Sequence, residues 1–99
     1  MLTQLRRENI DTVSKNANRV AVMAIIVEDR EATEPLNSLL HDYGKYIIGR
    51  MGIPYREKGI NIISIALDAP QDEISALSGK IGKLQGISVK TAYSNVITE

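Results

Sequence analysis

Four side chains near the middle of the chain have chemical types suited to holding a small ligand. His41 and Tyr43 are close in sequence, and an imidazole and a phenol can both contact a ligand at a subunit interface. Arg50 and Arg56 follow on one predicted strand segment, and guanidinium groups bind carboxylates and other anions through paired hydrogen bonds. The sequence therefore predicts a ligand-binding site that draws on His41, Tyr43, Arg50 and Arg56.

Each of these residues also has an ordinary structural role open to it. His41 falls near the end of a predicted helix, where a cation interacts favourably with the helix dipole. The two arginines could instead form surface ion pairs with Glu57 or Asp42. Such roles are the more common ones for these residue types, so both interpretations stay open at this point.

The other reactive residues match no catalytic or cofactor motif. The glycine–lysine pairs at 44–45 and 79–80 lack the hydroxyl residue and the earlier glycine that a phosphate-binding loop needs. His41 is the single histidine and cysteine is absent, so a zinc or nickel site within one subunit is not predicted. Ser75 and Ser78 have no base placed for them by the sequence. We therefore predict a non-enzymatic protein with no metal and no cofactor.

The composition is that of one globular domain. The chain has 99 residues, of which 43% are hydrophobic and 24% are charged. Its formal net charge is zero, whereas a dedicated nucleic-acid binder carries a basic excess, so direct DNA binding is doubtful. A Gly-x-x-Gly stretch at 49–52 matches KH modules in spacing, but Pro54 and Gly59 exclude the second helix of that motif. Because no signal peptide and no apolar run of membrane-spanning length is visible, we expect a cytoplasmic protein without membrane contact.

The elements that must position the candidate residues follow the order strand, helix, strand, strand, helix, strand. Apolar patterns predict the strands at 20–27, 45–57, 60–67 and 87–95 and a helix at 32–43. A second helix is predicted to open at 68–70, with Pro70 near its first position, and its apolar residues span 74–84. The second strand contains two glycines and a proline, which indicates a bulged edge strand. This order predicts an α+β fold, namely a ferredoxin-like βαββαβ sandwich with an antiparallel four-stranded sheet. Right-handed crossovers place the first and third strands in the centre and both helices on one face.

The domain is expected to span residues 20–95, with an N-terminal extension at 1–19 and a tail at 96–99. Apolar residues at 2, 5, 10 and 13 allow a short amphipathic helix in the extension. A frayed end and a helix that packs on a partner subunit both remain open for it.

The two central strands are apolar on both faces, although two helices cover only one face of a sheet. An uncovered apolar face usually marks an interface. We therefore expect a homodimer or homotetramer packed through its sheets; the alternative is a monomer whose N-terminal segment folds over this face. The predicted interface residues are Val20, Val22, Met23, Ile25, Met51 and Ile62.

Several stretches together resemble the iron-only (Fe–Fe) hydrogenase system regulators, a family of proposed transcriptional regulators. They are residues 27–31 (Val-Glu-Asp-Arg-Glu), 39–41 (Leu-Leu-His), 50–54 (Arg-Met-Gly-Ile-Pro), 56–57, 76–82 and 86–90. The resemblance covers about residues 20–93, and its strength lies in the order and spacing of the stretches and not in any one motif.

The resemblance implies a domain similar to ACT effector-binding domains and to the C-terminal domain of nickel-responsive regulators. Such domains assemble through their sheets and bind a small ligand or metal at subunit interfaces. The nickel site needs several histidines and a cysteine, so it is not carried over to this chain. The implied function is an oligomeric regulatory domain that acts through a small effector or a regulatory protein partner. The alternative is an ACT-like module that binds an amino-acid-like molecule without a transcriptional role.

Overall fold

The computed structural model describes residues 17–98, which form one four-stranded sheet and two α-helices. Most of the predicted N-terminal extension lies outside the described residues. The elements in chain order are β1 (Asn18–Val27), α1 (Thr33–Asp42), β2 (Ile47–Tyr55), β3 (Ile60–Pro70), α2 (Gln71–Gly82) and β4 (Ile87–Thr98). The predicted α+β, ferredoxin-like βαββαβ fold is confirmed.

The strands of the sheet are arranged in the order β2-β3-β1-β4, and every neighbouring pair is antiparallel. The first and third strands are therefore central, as the crossover rule predicts. Both helices contribute buried side chains to the same cluster, in which Leu36 and Leu77 meet Met23 and Ile65 of the central strands. Burial of each such side chain stabilises the fold by about 1.5–3 kcal/mol.

Strand β1 shows how the sheet separates a covered face from an uncovered one. Along the strand, Ala21, Met23, Ile25 and Val27 are buried, while the residues between them are exposed. This alternation follows from the two-residue period of a strand, because successive side chains point to opposite faces. The helices cover one face, and the opposite face, hereafter the open face, is not covered by any described residue.

The ends of the outer strands differ from the sequence-based boundaries. Strand β2 is the predicted irregular edge strand, and its pairing with β3 shifts between Ile47 and Gly49. Strand β1 begins at Asn18, and β4 continues to Thr98 because the two strands pair again beyond an irregularity between Arg19 and Ala21. The last strand therefore occupies residues that the sequence assigns to a tail.

Candidate functional site

A cleft of about 340 Å³ lies between the β2–β3 hairpin and the connection from β1 to α1. This volume falls at the small end of the range for ligand sites. Its polar lining consists of Arg30, Tyr55, Arg56 and Asn61, and its apolar lining of Pro54, Gly59 and Ile60. The cleft is therefore walled by two cationic side chains together with neutral ones.

The hairpin side of the cleft depends on a tight turn. Residues Arg56–Lys58 form a 3₁₀ turn between β2 and β3, and Gly59 ends it with a φ of 66°. The Gly59 N–H donates a hydrogen bond of 3.2 Å to the Arg56 carbonyl oxygen. Because a left-handed backbone favours glycine, Gly59 lets the turn end directly after Lys58 and lead into β3. The turn thereby places Arg56 at the closed end of the hairpin.

The opposite side of the cleft is set by a second 3₁₀ turn, Arg30–Ala32, which precedes α1. The Asp29 carboxylate caps this turn by accepting a hydrogen bond of 2.9 Å from the Glu31 N–H. In turn, the Glu28 N–H donates to the Gly86 carbonyl oxygen at 2.7 Å, which ties the connection to the start of β4. These backbone contacts fix the position from which the Arg30 side chain reaches the cleft.

The open face adjoins the cleft and carries a contiguous apolar surface. Ile53, Ile62 and Ile26 are direct cross-strand neighbours on β2, β3 and β1, and we call them the isoleucine row. Ile26 and Ile62 are each 40% exposed and Ile53 is 52% exposed. The next cross-strand pair on the same face, Tyr55 and Ile60, lines the cleft. The apolar surface and the cleft therefore meet at the hairpin end of the sheet.

The structure separates three of the four predicted ligand residues from this cleft. His41 is exposed in the last turn of α1. Arg50 points to the helix side of β2, where its guanidinium donates a hydrogen bond of 2.9 Å to the Asn37 side-chain oxygen of α1. Of the predicted set, only Arg56 lines the cleft. The proposed single site of four residues is therefore not formed within one chain.

Tyr43 is a core residue that links the two helices. It is only 8% exposed, and its hydroxyl accepts a hydrogen bond of 2.9 Å from the Lys80 ammonium on α2. The same ammonium lies 5.1 Å from the centre of the Tyr43 ring. This hydrogen bond, with help from the nearby charges of Glu73 and Asp42, raises the pKa of Lys80 above its ordinary value of 10.5. The Tyr43 hydroxyl, which was predicted to contact a ligand, therefore accepts a hydrogen bond from within the chain instead.

The predicted interface residues divide between the two faces of the sheet. Val22, Met51 and Ile62 are exposed on the open face, and Val20 is half-buried on the same side. The assignment of Met23 and Ile25 was wrong, since both are fully buried beneath the helices. Their neighbours Val22 and Ile26 take the opposite face because side chains alternate along a strand.

Three polar residues of the cleft were missed by the sequence-based prediction, namely Arg30, Tyr55 and Asn61. Arg30 is flanked by acidic residues in the sequence, and this local charge pattern gave no indication of an anion-binding role for it. A signal was nevertheless present in the predicted topology. The end of β1 and the β2–β3 hairpin fall at the same end of an antiparallel sheet, which brings Arg30 to Arg56.

The described part of the chain contains no group of three or more His, Cys, Asp or Glu side chains placed to hold a metal ion. Among the helices of residues 17–98, none is long and apolar enough to cross a membrane.

The model of a protein family described as "TM1266-like: Iron-only hydrogenase system regulator, putative" matches residues 19–91. The chain belongs to this family. The match covers β2, β3, both helices and the cleft, all of β1 except Asn18, and the first five residues of β4.

Solved structures agree with this assignment. Protein TM1266 from Thermotoga maritima is 43% identical, with a TM-score of 0.75, and the alignment covers 77% of this chain and 96% of that one. The ACT domain of the GTP pyrophosphokinase from Chlorobium tepidum is 19% identical, with a TM-score of 0.65, over 76% of this chain and 99% of that one. A formyltetrahydrofolate deformylase from Pseudomonas putida is 13% identical, with a TM-score of 0.59, over 78% of this chain and 29% of that one.

At the identities of the last two proteins, the likeness concerns the fold alone, and that fold is ACT-like. No curated protein sequence matches this TM1266-like chain.

Proposed function

We propose that this TM1266-like protein is a non-enzymatic regulatory module that self-associates through the open face and acts on transcription through an effector or partner bound at the subunit interfaces. The observation that carries the proposal is the exposed isoleucine row on a sheet whose central strands are buried beneath the helices on the other face. A contiguous exposed apolar surface of this kind is typical of an interaction site.

The occupant that we propose for this surface is a second copy of the chain. A two-fold axis over the sheet would place the isoleucine row of one copy against the same kind of surface on the other. On this face Lys90 lies on the edge strand β4 opposite Ala24, and Asp68 lies on β3 opposite Val20. The isoleucine row itself contains no charged side chain, so packing on it does not require burying a charge within the row, which would be costly.

The experiment that tests self-association is light scattering on the full chain at micromolar concentration, with the variant Ile26→Glu. We expect the wild type to be a dimer or tetramer. We expect the variant to be a monomer of about the chain mass of 10.9 kDa with an unchanged fold, because Ile26 is already partly exposed within one chain. Ser75→Glu, on the exposed surface of α2, is the matched control and should assemble like the wild type. A monomeric wild type would overturn the proposal.

The transcriptional part of the proposal has its own test in the host organism. Hydrogenase transcripts are compared between cells that carry the wild-type allele, the I26E allele and the S75E allele. We expect transcript levels in the I26E strain to differ from the wild type, and those in the S75E strain to equal the wild type. Equal levels in all three strains contradict a transcriptional role that depends on assembly.

A second candidate function is a small-molecule binding module without a transcriptional role, and the cleft at the hairpin favours it. The two candidates share the binding step and differ in its consequence. Transcript levels that stay constant while the protein still binds a small molecule would favour this second candidate.

A further inference from the structure

We propose that the cleft between the β2–β3 hairpin and the β1–α1 connection binds a small anion, a carboxylate or a phosphate, through the guanidinium groups of Arg30 and Arg56. This inference names the ligand class of the proposed effector, and it rests on the proposed function for its regulatory meaning only. The binding itself is carried by residues of one chain.

The first observation is that the four arginines of the described chain differ in whether their side chains are hydrogen-bonded within the protein. Arg19 donates hydrogen bonds to the Gln71 side chain and the Ser94 carbonyl oxygen, both at 3.2 Å, and Arg50 donates to Asn37. The side chains of Arg30 and Arg56 form no hydrogen bond or ion pair with any residue from 17 to 98. The two arginines that line the cleft are therefore the ones whose guanidinium groups form no hydrogen bond with another described residue.

The second observation is the charge of the cleft walls. The charged side chains that line it are both cationic, although Glu31 and Glu57 are the next residues in the chain. The nearby Asp29 carboxylate is engaged as the cap of the Arg30–Ala32 turn. Two arginines from separate elements suit a carboxylate or phosphate, because the planar guanidinium donates paired hydrogen bonds to such groups.

The neutral walls complete a site for a small organic anion. The Tyr55 hydroxyl and the Asn61 amide offer further hydrogen bonds, while Pro54 and Ile60 offer an apolar surface for a carbon skeleton. The volume of about 340 Å³ admits a metabolite but not a folded polymer. Tyr55 and Ile60 also continue the strand faces of the isoleucine row, so a bound ligand would border the proposed subunit interface.

The test is a nuclear magnetic resonance titration of the full chain with sodium phosphate and, separately, sodium succinate, each at constant ionic strength against sodium chloride. We expect saturable shifts of the Gly59 and Asn61 amide signals with at least one of the two anions. Saturation by phosphate alone identifies a phosphoryl ligand, and saturation by succinate alone identifies a carboxylate. Shifts that are absent with both anions overturn the inference.

The variants Arg30→Gln and Arg56→Gln show whether the shifts arise from the cleft. Each should weaken binding by about tenfold or more, since each removes charge-assisted hydrogen bonds. Lys58→Gln is the matched control, because it removes one positive charge from the same turn at a residue that does not line the cleft. An equal weakening in Lys58→Gln indicates nonspecific attraction and contradicts the site. The spectra themselves show that each variant is folded.

These readouts separate failure of the site from failure of the proposed function. If the protein self-associates but binds neither anion, the proposed site is contradicted and the proposed oligomeric module is not. If the protein is a monomer and its cleft binds an anion, the proposed site is supported and the proposed oligomeric module is contradicted.

Discussion

Gly86 and Asp29 are packed so closely that a β-carbon on residue 86 would overlap the β-carbon of Asp29. The backbone nitrogen of Asp29 would lie only 3.2 Å from that added atom, so the obstruction includes backbone and is not relieved by moving a side chain. Gly86 also has a φ of 79°, in the left-handed region. This contact joins the loop before β4 to the connection that carries Arg30.

Gly86→Ala is therefore expected to lower the free energy of unfolding by about 2–4 kcal/mol, from the strained left-handed backbone and the overlap with Asp29 together. Chemical denaturation measures the loss. Gly79→Ala is the matched control, because an added β-carbon there meets nothing within 4 Å and the residue lies in a helix. That control should gain about 0.5–1 kcal/mol. Equal losses in both variants would show that the Asp29 contact is not the cause.

Ile25 and Ile26 provide a comparison of the two sheet faces at adjacent positions. Ile25→Ala should lower the free energy of unfolding by about 2–5 kcal/mol at every protein concentration, because it leaves a cavity beneath the helices. Ile26→Ala should cost less than about 1 kcal/mol in dilute solution, where the residue is partly exposed. Its cost should rise with protein concentration if a second copy covers the open face. A large, concentration-independent loss in Ile26→Ala would contradict the assigned faces.

Thr91 carries a buried hydroxyl that lacks a hydrogen-bond partner among the described residues. Thr91→Val replaces this group with a methyl of similar shape, so the free energy of unfolding should rise by about 1 kcal/mol. Denaturation of the variant beside the wild type measures the gain. Thr91→Ala is the control: it also removes the hydroxyl but loses packing, and it should bring no gain. A destabilised Thr91→Val would mean that the hydroxyl is hydrogen-bonded in solution.

The hydrogen bond from Lys80 to Tyr43 predicts a pH dependence of stability. Because the folded-state pKa of Lys80 is raised above 10.5, its contribution is fully present below pH 10.5 and is lost as the pH rises through the folded-state value. The stability difference between the wild type and Lys80→Gln should accordingly stay constant near neutral pH and shrink in strongly alkaline solution. Urea unfolding across a pH series measures this difference.

Lys83→Gln is the matched control for that series. Lys83 is an exposed lysine at the end of the same helix and forms no such hydrogen bond within residues 17–98. Its substitution should leave stability nearly unchanged at every pH. A difference between wild type and Lys80→Gln that grows with rising pH would have the wrong sign for a lysine whose pKa is raised.

The candidate site was only partly predictable from sequence, and Arg56 illustrates why. Its residue type and its place on the same predicted strand as Arg50 made it a candidate, and the structure places it in a cleft. Arg50 has the same guanidinium group and was predicted for the same role. In the structure its side chain points from β2 toward α1, where the Asn37 side chain accepts its hydrogen bond. Residue type alone could not separate these two arginines, because the difference lies in a neighbour from another element.

What the sequence determined by itself was the order of elements and the topology of the sheet. Two-residue and 3.6-residue apolar periods are local properties, and the handedness of crossovers restricts how six such elements can be arranged. The tertiary structure decided which face of β1 lies beneath the helices, and so placed Ile25 in the core and Ile26 on the surface. It also brought Arg30 to the hairpin of Arg56 and engaged Tyr43 with Lys80. These are contacts between residues distant in the chain, and only the packing of complete elements sets their distances.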